Sequence, residues 1–168
     1  GQHNIRLFEW TNCFSLNKGK ISESAKLAGI LSGNSQPEFW HEKTTLIDYF
    51  DIKGLVNQFA IKNSLDNFEI IYYHIVDHFE IGCKMVTRNE KSEIELGIFG
   101  KIDAEIAEQF NVDFPVWYFE FDGEALLDLS KQSRSIRELP RYPSALRDLA
   151  FIVDEKVLSG NLEQLILK

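Results

Sequence analysis

Apolar and aromatic residues dominate the first third of the chain in short, strand-like runs. Ile5 to Phe14 predicts a strand, and the cluster Asn17-Lys18-Gly19-Lys20 predicts the turn after it. Lys26 to Leu31 predicts a second, buried strand, and Gly33 to Pro37 a loop. Leu46 to Phe50 is interpreted as a short strand or an entry segment to the next element.

Helical spacing begins after this entry segment. The residues Ile52, Leu55, Val56 and Phe59 fall at positions i, i+3, i+4 and i+7, which is the apolar stripe of an amphipathic helix. Asp51 precedes the stripe and is predicted to be the N-cap, because its carboxylate would accept a hydrogen bond from a free backbone amide. We expect the helix to end near Asn63.

The middle of the chain returns to strand patterns. Four strands are predicted, at Phe68 to Val76, Phe79 to Thr87, Ile94 to Phe99 and Val116 to Phe121. The second and third of them flank the polar turn Arg88 to Lys91 and predict a hairpin. Asp103 is expected to cap a short helix ending at Asn111, and Gly123 to Leu129 predicts another helix.

Composition changes at Ser130 to Pro140, where polar and basic residues predict a linker. Leu149 to Val153 then predicts a strand, and Leu162, Leu165 and Ile166 start an amphipathic helix. We therefore expect one domain over residues 1–132, and a linker with the start of a second domain over 133–168. Because hairpin links outnumber parallel crossovers, the predicted fold class is α+β, an antiparallel sheet flanked by helices.

Charge limits the possible partners. The formal net charge is −8 and the sequence pI is about 5.0, which disfavours unaided binding to a phosphate backbone. No apolar run reaches the roughly 20 residues that span a bilayer. The two cysteines, Cys13 and Cys83, are interpreted as reduced, buried thiols of a cytoplasmic protein. The opening at Gly1, directly before a strand pattern, favours a segment cut from a longer chain.

The sequence contains few residues in a catalytic or ligand-binding pattern. It has no P-loop, dinucleotide fingerprint or Gly-x-Ser-x-Gly elbow. His74 and His78, with Asp77 and Glu80, form the one metal-like cluster, but a four-residue spacing on a strand separates the two imidazoles by about 13 Å. The aromatic run Val116 to Phe121 is interpreted as core, with stacking on RNA bases as the alternative.

Three stretches resemble one family, the phenylalanyl-tRNA synthetase beta chain. The first is Leu27 to Gly33 (LAGILSG), followed by Trp40 and by Leu46 to Leu55 (LIDYFDIKGL). The second is Leu96 to Phe121, with Gly97-Ile98-Phe99-Gly100 before a short helix and Glu120 in an aromatic strand; it departs from the family at Lys101 to Ala104. The third is Pro140 to Val153 (PRYPSALRDLAFIV), which resembles the opening of a ferredoxin-fold anticodon-binding domain.

This resemblance implies a fold and a role. It implies a degenerate class II aminoacyl-tRNA synthetase core that has lost its active site, in an enzyme of two alpha and two beta chains. The alpha chain would activate phenylalanine with ATP and Mg, so no cofactor and no catalytic or metal-binding residue is expected in this segment. The expected function is structural: to support attachment of phenylalanine to tRNA(Phe) as part of the ligase, while being inactive alone.

The basic C-terminal region carries the one set of candidate contact residues. The resemblance places Arg137, Arg141, Tyr142 and Arg147 at the entrance to the anticodon-binding domain, where they would contact tRNA. Ion pairs at the domain junction are the alternative, with Asp148 as a partner for Arg147. A stand-alone RNA-binding module is the alternative function. A free-standing class II enzyme ranks last, because Arg6 and Glu9 lack the Arg-x-Glu spacing and residues 93–100 lack a following Arg.

Overall fold

The computed structural model describes residues 4–37, 40–41, 43–63, 65, 68–73, 78–89, 92–130, 145–157 and 159–166. The chain divides into two compact units, Gly1–Arg134 and Ser135–Lys168, called here the first and second unit. Each is described by itself. The domain identities expected for residues 1–132 and 133–168 stay predictions.

The first unit is built on one six-stranded sheet in the order β1-β2-β6-β5-β4-β3, and all neighbouring strands are antiparallel. Its strands are β1 (Ile5–Asn17), β2 (Lys20–Ser32), β3 (Phe68–Tyr73), β4 (Phe79–Asn89), β5 (Ser92–Ile102) and β6 (Val116–Asp122). The helices are α1 (Tyr49–Lys62), α2 (Ala104–Gln109) and α3 (Gly123–Ser130), with α4 (Ser159–Ile166) in the second unit. The α+β prediction is confirmed.

The β1–β2 hairpin is longer than its apolar runs predict. Lys18 and Gly19 both have positive φ, at 48° and 77°, as a two-residue type I′ turn requires. This turn matches the twist of the flanking strands, so pairing continues without a bulge from Ile5↔Ser32 to Asn17↔Lys20. Both strands and the turn are confirmed, and the polar residues at the tip extend the hairpin.

Helix α1 begins at Tyr49, and its N-cap is Asp48 instead of the predicted Asp51. The Asp48 carboxylate accepts hydrogen bonds from the amides of Phe50 (2.8 Å) and Asp51 (3.2 Å). Asp51 occupies the third helical position, where its own carboxylate accepts from the Asp48 amide at 2.9 Å. This reciprocal capping box satisfies amides at both positions, so the helix starts one turn earlier than the apolar stripe indicates. The predicted end at Asn63 is confirmed, since Asn63 is the C-cap.

The other predicted elements of the first unit are found with shifted ends. The hairpin of β4 and β5 is confirmed, and its pairing runs out to Asn89↔Ser92. Strand β3 ends at Tyr73, and residues 74–77 of the predicted strand lie outside the described residues. The Asp103 side chain caps α2 by accepting from the Glu105 amide at 2.8 Å, as predicted. Helix α3 follows β6 directly.

The core lies between one face of the sheet and helices α1 and α3. Burial alternates along β6, and its inward residues Trp117, Phe119 and Phe121 are at most 7% exposed. They pack in one cluster with Ile52 and Val56 of α1. The core interpretation is confirmed for these three rings, which cannot stack on RNA bases, whereas Tyr118 lies half-buried on the other face of the sheet.

In the second unit, the predicted strand Leu149 to Val153 is wrong. Residues 145–154 have no regular structure and pair with no other described residue, although Ile152 and its neighbours have strand propensity. A strand is held by hydrogen bonds to a neighbouring strand, so apolar composition alone does not form one. The predicted helix is present as α4.

The two cysteines differ in exposure. Cys83 is buried, but Cys13 is exposed on β1, so the expectation of two buried thiols is wrong for Cys13. Cys13 lies in the part of β1 that extends beyond the region where β6 pairs with β2, so few residues cover it.

Among the helices of the described ranges, none has the length and apolar character needed to cross a membrane.

Candidate functional site

The face of the sheet opposite α1 and α3 carries the most concentrated set of charged side chains. Directly paired residues of neighbouring strands share a face, so the register places Lys26 with Asp122 and Lys84 with Ile98, away from the helices. We call this surface the open face. Its charged residues in the described ranges include Lys26, Lys84 and Arg88, and the carboxylates Glu69, Glu93, Glu95, Glu120 and Asp122.

Lys26 of β2 lies on the open face between two carboxylates of β6. Its Nζ is 3.5 Å from Asp122 Oδ2 and 3.6 Å from Glu120 Oε1. The three side chains are 26–36% exposed. A shallow cavity of about 140 Å³ lies here, also lined by Glu95, so the cation is surrounded by acidic groups.

Two further cations of the open face are paired in the same way. Lys84 Nζ is 2.6 Å from Glu95 Oε2 on the neighbouring strand. Arg88 bridges two strands, with nitrogen–oxygen distances of 3.0 Å to Glu93 and 3.1 Å to Glu69. The hydrogen bond to Glu93 and the charge of Glu69 raise the pKa of Arg88, which keeps it protonated beside these carboxylates.

Tyr118 adds a neutral donor to the same network. Its hydroxyl donates to Glu120 Oε2 at 2.7 Å. Burial first, and then this hydrogen bond and the Glu120 charge, raise the pKa of Tyr118 well above its usual range. The phenol therefore stays protonated and holds the Glu120 carboxylate in place beside Lys26.

The raised pKa predicts a late step in an alkaline titration. A group whose pKa is higher in the folded state contributes stability below its unfolded value, about 10 for tyrosine, and that contribution is lost as the pH rises further. Followed by tyrosinate absorbance, the folded protein should show phenols that ionise well above pH 10. Tyr118→Phe should remove one of them. Unchanged late absorbance in Tyr118→Phe would contradict the network.

The chemical consequence is a surface unsuited to a polyphosphate. Activation of an amino acid with ATP needs cationic groups aimed at the phosphates. In the described part of the open face, the three cations named above are held by five carboxylates, which give the surface an excess of negative charge. A nucleotide would have to displace these ion pairs and lie beside like charges.

Arg6, the arginine considered for the Arg-x-Glu motif of class II enzymes, binds backbone carbonyls instead of facing an open site. Arg6 lies on the helix side of β1, and its guanidinium donates to the carbonyls of Asn34 (2.8 Å) and Ser35 (3.0 Å). Glu9 is three residues further along the strand and so lies on the opposite face. The geometry does not bring Arg6 and Glu9 together.

The candidate tRNA-contacting residues are only partly described. Arg137, Arg141 and Tyr142 lie outside the described residues. Arg147 is exposed in the second unit, and it forms no ion pair with the exposed Asp148. The tRNA contact of these four residues therefore stays a prediction.

The metal-like cluster is likewise only partly described. His74 and Asp77 lie outside the described ranges, whereas His78 and Glu80 flank the start of β4. Within the residues that the structure describes, no group of three or more His, Cys, Asp or Glu side chains is arranged to hold a metal ion.

Sequence reasoning missed the ion pairs of the open face. Lys26 and Asp122 are 96 residues apart and meet only because β2 and β6 are neighbours in the sheet. The acidic residues Glu120 and Asp122, two positions apart on β6, indicate a charged strand face. The sequence does not indicate which cation pairs with them.

The fold has known counterparts. Two structures of pyrrolysyl-tRNA synthetase from Desulfitobacterium hafniense superimpose on it, with TM-scores of 0.54 and 0.52 and 16% identity in each case. Each superposition covers 81% of this chain, and 46% and 47% of the other chain. The antiparallel sheet with its helices thus has the fold of these synthetases, in agreement with the class II fold that the family resemblance implied.

Sequence comparison narrows the class to a family. The family model for the phenylalanyl tRNA synthetase beta chain CLM domain matches residues 1–123, and the chain belongs to this family. The phenylalanine–tRNA ligase beta subunits of Geobacter sulfurreducens and Prochlorococcus marinus are 26% and 27% identical to it. Each match covers 96% of this chain and 20% of the relative, so the chain spans about a fifth of the length of these curated relatives.

Proposed function

We propose that this chain is a non-catalytic segment of a phenylalanine–tRNA ligase beta subunit, which supports the attachment of phenylalanine to tRNA(Phe) without contacting the reacting atoms. The observation that carries the proposal is the pairing of Lys26, Lys84 and Arg88 with carboxylates across the open face. A surface whose cations are neutralised internally retains the class II fold but lacks the electrostatic means to hold ATP.

The partners and cofactors follow from this proposal. The active site belongs to the alpha chain, which binds ATP, Mg and phenylalanine in an enzyme of two alpha and two beta chains. This segment holds no cofactor and contributes its fold and its surface to that cytoplasmic assembly. The curated relatives support the proposal, since they are named as beta subunits of the ligase.

Neutralising the cations of the open face in the assembled enzyme tests this function. Lys26→Gln and Lys84→Gln, introduced one at a time into the full-length beta subunit and reconstituted with alpha, should each change kcat/KM for ATP by less than about threefold. Removing one group that stabilises a transition-state charge costs about 100- to 1,000-fold in an active site. Steady-state aminoacylation with varied ATP provides the measurement.

A matched control variant distinguishes an open face without chemistry from one whose lysine acts on ATP. Lys18→Gln changes the same residue type at the tip of the β1–β2 hairpin, away from the paired cations. If Lys26→Gln and Lys18→Gln behave alike, the open face does no chemistry. A loss of 100-fold or more confined to Lys26→Gln would refute the proposed function.

The second unit has a proposed role in tRNA binding. We propose that residues 133–168 are a linker and the start of a ferredoxin-fold anticodon-binding domain, and that Arg137, Arg141, Tyr142 and Arg147 contact tRNA. The exposure of Arg147 supports this role, because its guanidinium is available to a phosphate.

Substitution of Arg147 in the assembled enzyme checks the tRNA contact. Loss of one phosphate contact should weaken binding at all tRNA sequences and lower the slope of log K against log salt by about 1. A salt series of filter-binding measurements should therefore give a smaller slope for Arg147→Ala than for Arg88→Ala. Arg88→Ala is the control on the same chain. Equal slopes for Arg147→Ala and the unmodified enzyme would exclude the contact.

A further inference from the structure

Strand β1 (Ile5–Asn17) is an edge strand whose outer side pairs with none of the described residues. Exposed sheet edges accept a further strand unless lysine, proline or a bulge prevents the pairing. The sequence of β1 contains no lysine and no proline, and its pairing with β2 continues without a bulge over all 13 residues. Its two charged residues, Arg6 and Glu9, have opposite charges. The edge therefore has no protection against a further strand.

The hairpin turn determines which backbone groups of β1 face this free edge. The two-residue turn Lys18-Gly19 is closed by the pair Asn17↔Lys20, and the closing pair of such a turn is hydrogen-bonded. Hydrogen-bonded and non-hydrogen-bonded positions alternate along an antiparallel ladder. The odd-numbered residues of β1 therefore bond to β2, and the N–H and C=O groups of its even-numbered residues point outward.

The same even-numbered positions carry a row of large exposed apolar side chains. We call this row the hairpin stripe; its members are Phe8, Trp10, Phe14 and Leu16, and their exposed fractions range from 48% for Trp10 to 80% for Phe8. One polar residue, Asn12, interrupts the row, and its Nδ2 donates to Glu23 Oε1 at 2.7 Å. Free backbone groups and uncovered apolar side chains thus coincide at one edge.

The hairpin stripe is complementary to itself in one antiparallel register. When Asn12 of one copy lies opposite Asn12 of a second copy, Phe8 lies opposite Leu16, and Trp10 lies opposite Phe14. A shift by two residues in either direction places Asn12 opposite Trp10 or Phe14. Among the registers that keep the even positions opposite one another, this one pairs all four apolar side chains with apolar side chains.

The odd-numbered residues also fit this register. Glu9 lies opposite Ser15, and Thr11 lies opposite Cys13, so no like charges face each other in these pairs. The net charge of −8 opposes association of two copies only weakly here, because charges remote from the edge are screened over about 8 Å at physiological ionic strength.

The register also supports the weakest part of the hairpin. Strand β6 pairs with β2 only over Lys26 to Ser32, so residues 12–17 and 20–25 form a two-stranded ribbon among the described residues. A two-stranded ribbon is marginally stable in water, and three or more strands are needed for independent stability. In the register centred on Asn12, residues 12–17 of one copy lie along residues 7–12 of the other. Each copy therefore adds strands to the ribbon of the other.

We propose that β1 pairs with β1 of a second copy of this chain, antiparallel and centred on Asn12, so that two sheets join edge to edge. The proposal goes beyond the proposed function, which implies two beta chains but assigns no contact between them. The four stripe side chains expose on the order of 500 Å² per copy. Two copies together reach on the order of 1,000 Å², the lower limit of a specific interface. The competing occupant is a strand from the four-fifths of the relatives' length that this chain does not span.

A cysteine pair tests both the contact and its register. Opposite residues at non-hydrogen-bonded positions have Cα atoms about 4.5 Å apart, which is within the range for a disulfide. Thr11→Cys places a thiol opposite the exposed Cys13 of the second copy, whereas Glu9→Cys, on the same face of the same strand, places it opposite Ser15. Both variants are made in the full-length beta subunit, reconstituted with alpha and oxidised with diamide. Non-reducing electrophoresis measures the covalent beta dimer.

The expected result is at least tenfold more covalent dimer for Thr11→Cys than for Glu9→Cys or the unmodified subunit. Adding Asn12→Lys to Thr11→Cys should lower this yield at least tenfold, because the two lysines would face each other at the centre of the contact. Cross-linking only in Glu9→Cys would contradict the register. Equal melting temperatures with no excess dimer in Thr11→Cys would overturn the proposal and assign the edge to another strand of the assembly.

Discussion

Replacing Phe121 with alanine is expected to lower the free energy of unfolding of the first unit by about 3–5 kcal/mol. Phe121 is fully buried on β6, and its ring stacks on Phe59 of α1 with centroids 5.4 Å apart and planes 9° from parallel. A second stacked contact joins it to Phe119, also at 5.4 Å. The substitution therefore removes the ring that joins helix α1 to the centre of the sheet, and the rigid neighbours cannot close the cavity.

Equilibrium unfolding in urea of the 168-residue chain measures this loss. Phe110→Ala provides the control, because the Phe110 side chain is 76% exposed at the end of α2 and should change stability by less than about 0.5 kcal/mol. Similar losses for the two substitutions would show that the Phe121 ring is not central to the packing of α1.

Replacing Gly97 with alanine should cost about 3 kcal/mol, although it adds only one methyl group. A Cβ at this position would collide with the backbone carbonyl of Glu120 and with the Phe121 ring, and would lie 2.8 Å from the Cα of Phe121. The carbonyl is part of the paired strand β6, so it cannot move without breaking the sheet ladder. Overpacking of this kind typically costs about 1–3 kcal/mol, and the backbone contact places Gly97 at the upper end.

A second glycine provides a control of opposite sign. Gly54 lies inside helix α1, and a Cβ built there meets nothing within 4 Å. Gly54→Ala should therefore stabilise the protein by about 0.5–1 kcal/mol, because alanine loses less backbone entropy in a helix. Thermal unfolding of both variants should shift in opposite directions. A stable Gly97→Ala protein would show that β5 and β6 are less closely packed than described.

Much of the fold follows from local patterns. The strands of the first unit and the helices α1, α2 and α3 were predicted, because apolar periodicity and capping residues act within a few positions of each other. The helix start illustrates the limit: Asp51 was assigned as the cap from the apolar stripe alone. The structure uses Asp48 and Asp51 together, and the pair satisfies more backbone amides than either carboxylate alone.

Sequence reasoning also failed where the structure depends on non-local partners. Leu149 to Val153 has the composition of a strand, but within the described residues nothing pairs with it. The ion pairs of the open face depend on strand order, which places β2 next to β6 across most of the chain length. No spacing rule links Lys26 to Glu120 and Asp122, so the geometry of the site required the fold.

The resemblance to the family supplied the expectation that the active site is lost, and the open face gives that expectation a physical basis. On the open face, neighbouring strands supply carboxylates at 2.6–3.6 Å from Lys26 and Lys84. Tyr118 stabilises the same arrangement through Glu120.

Calorimetric titration of this chain with MgATP tests the central claim most directly. Because Lys26 and Lys84 of the open face are paired with carboxylates, no saturable binding is expected up to about 1 mM nucleotide. A dissociation constant in the micromolar range that disappears in Lys26→Gln would contradict the claim, because it would show that Lys26 leaves its carboxylates to hold a phosphate.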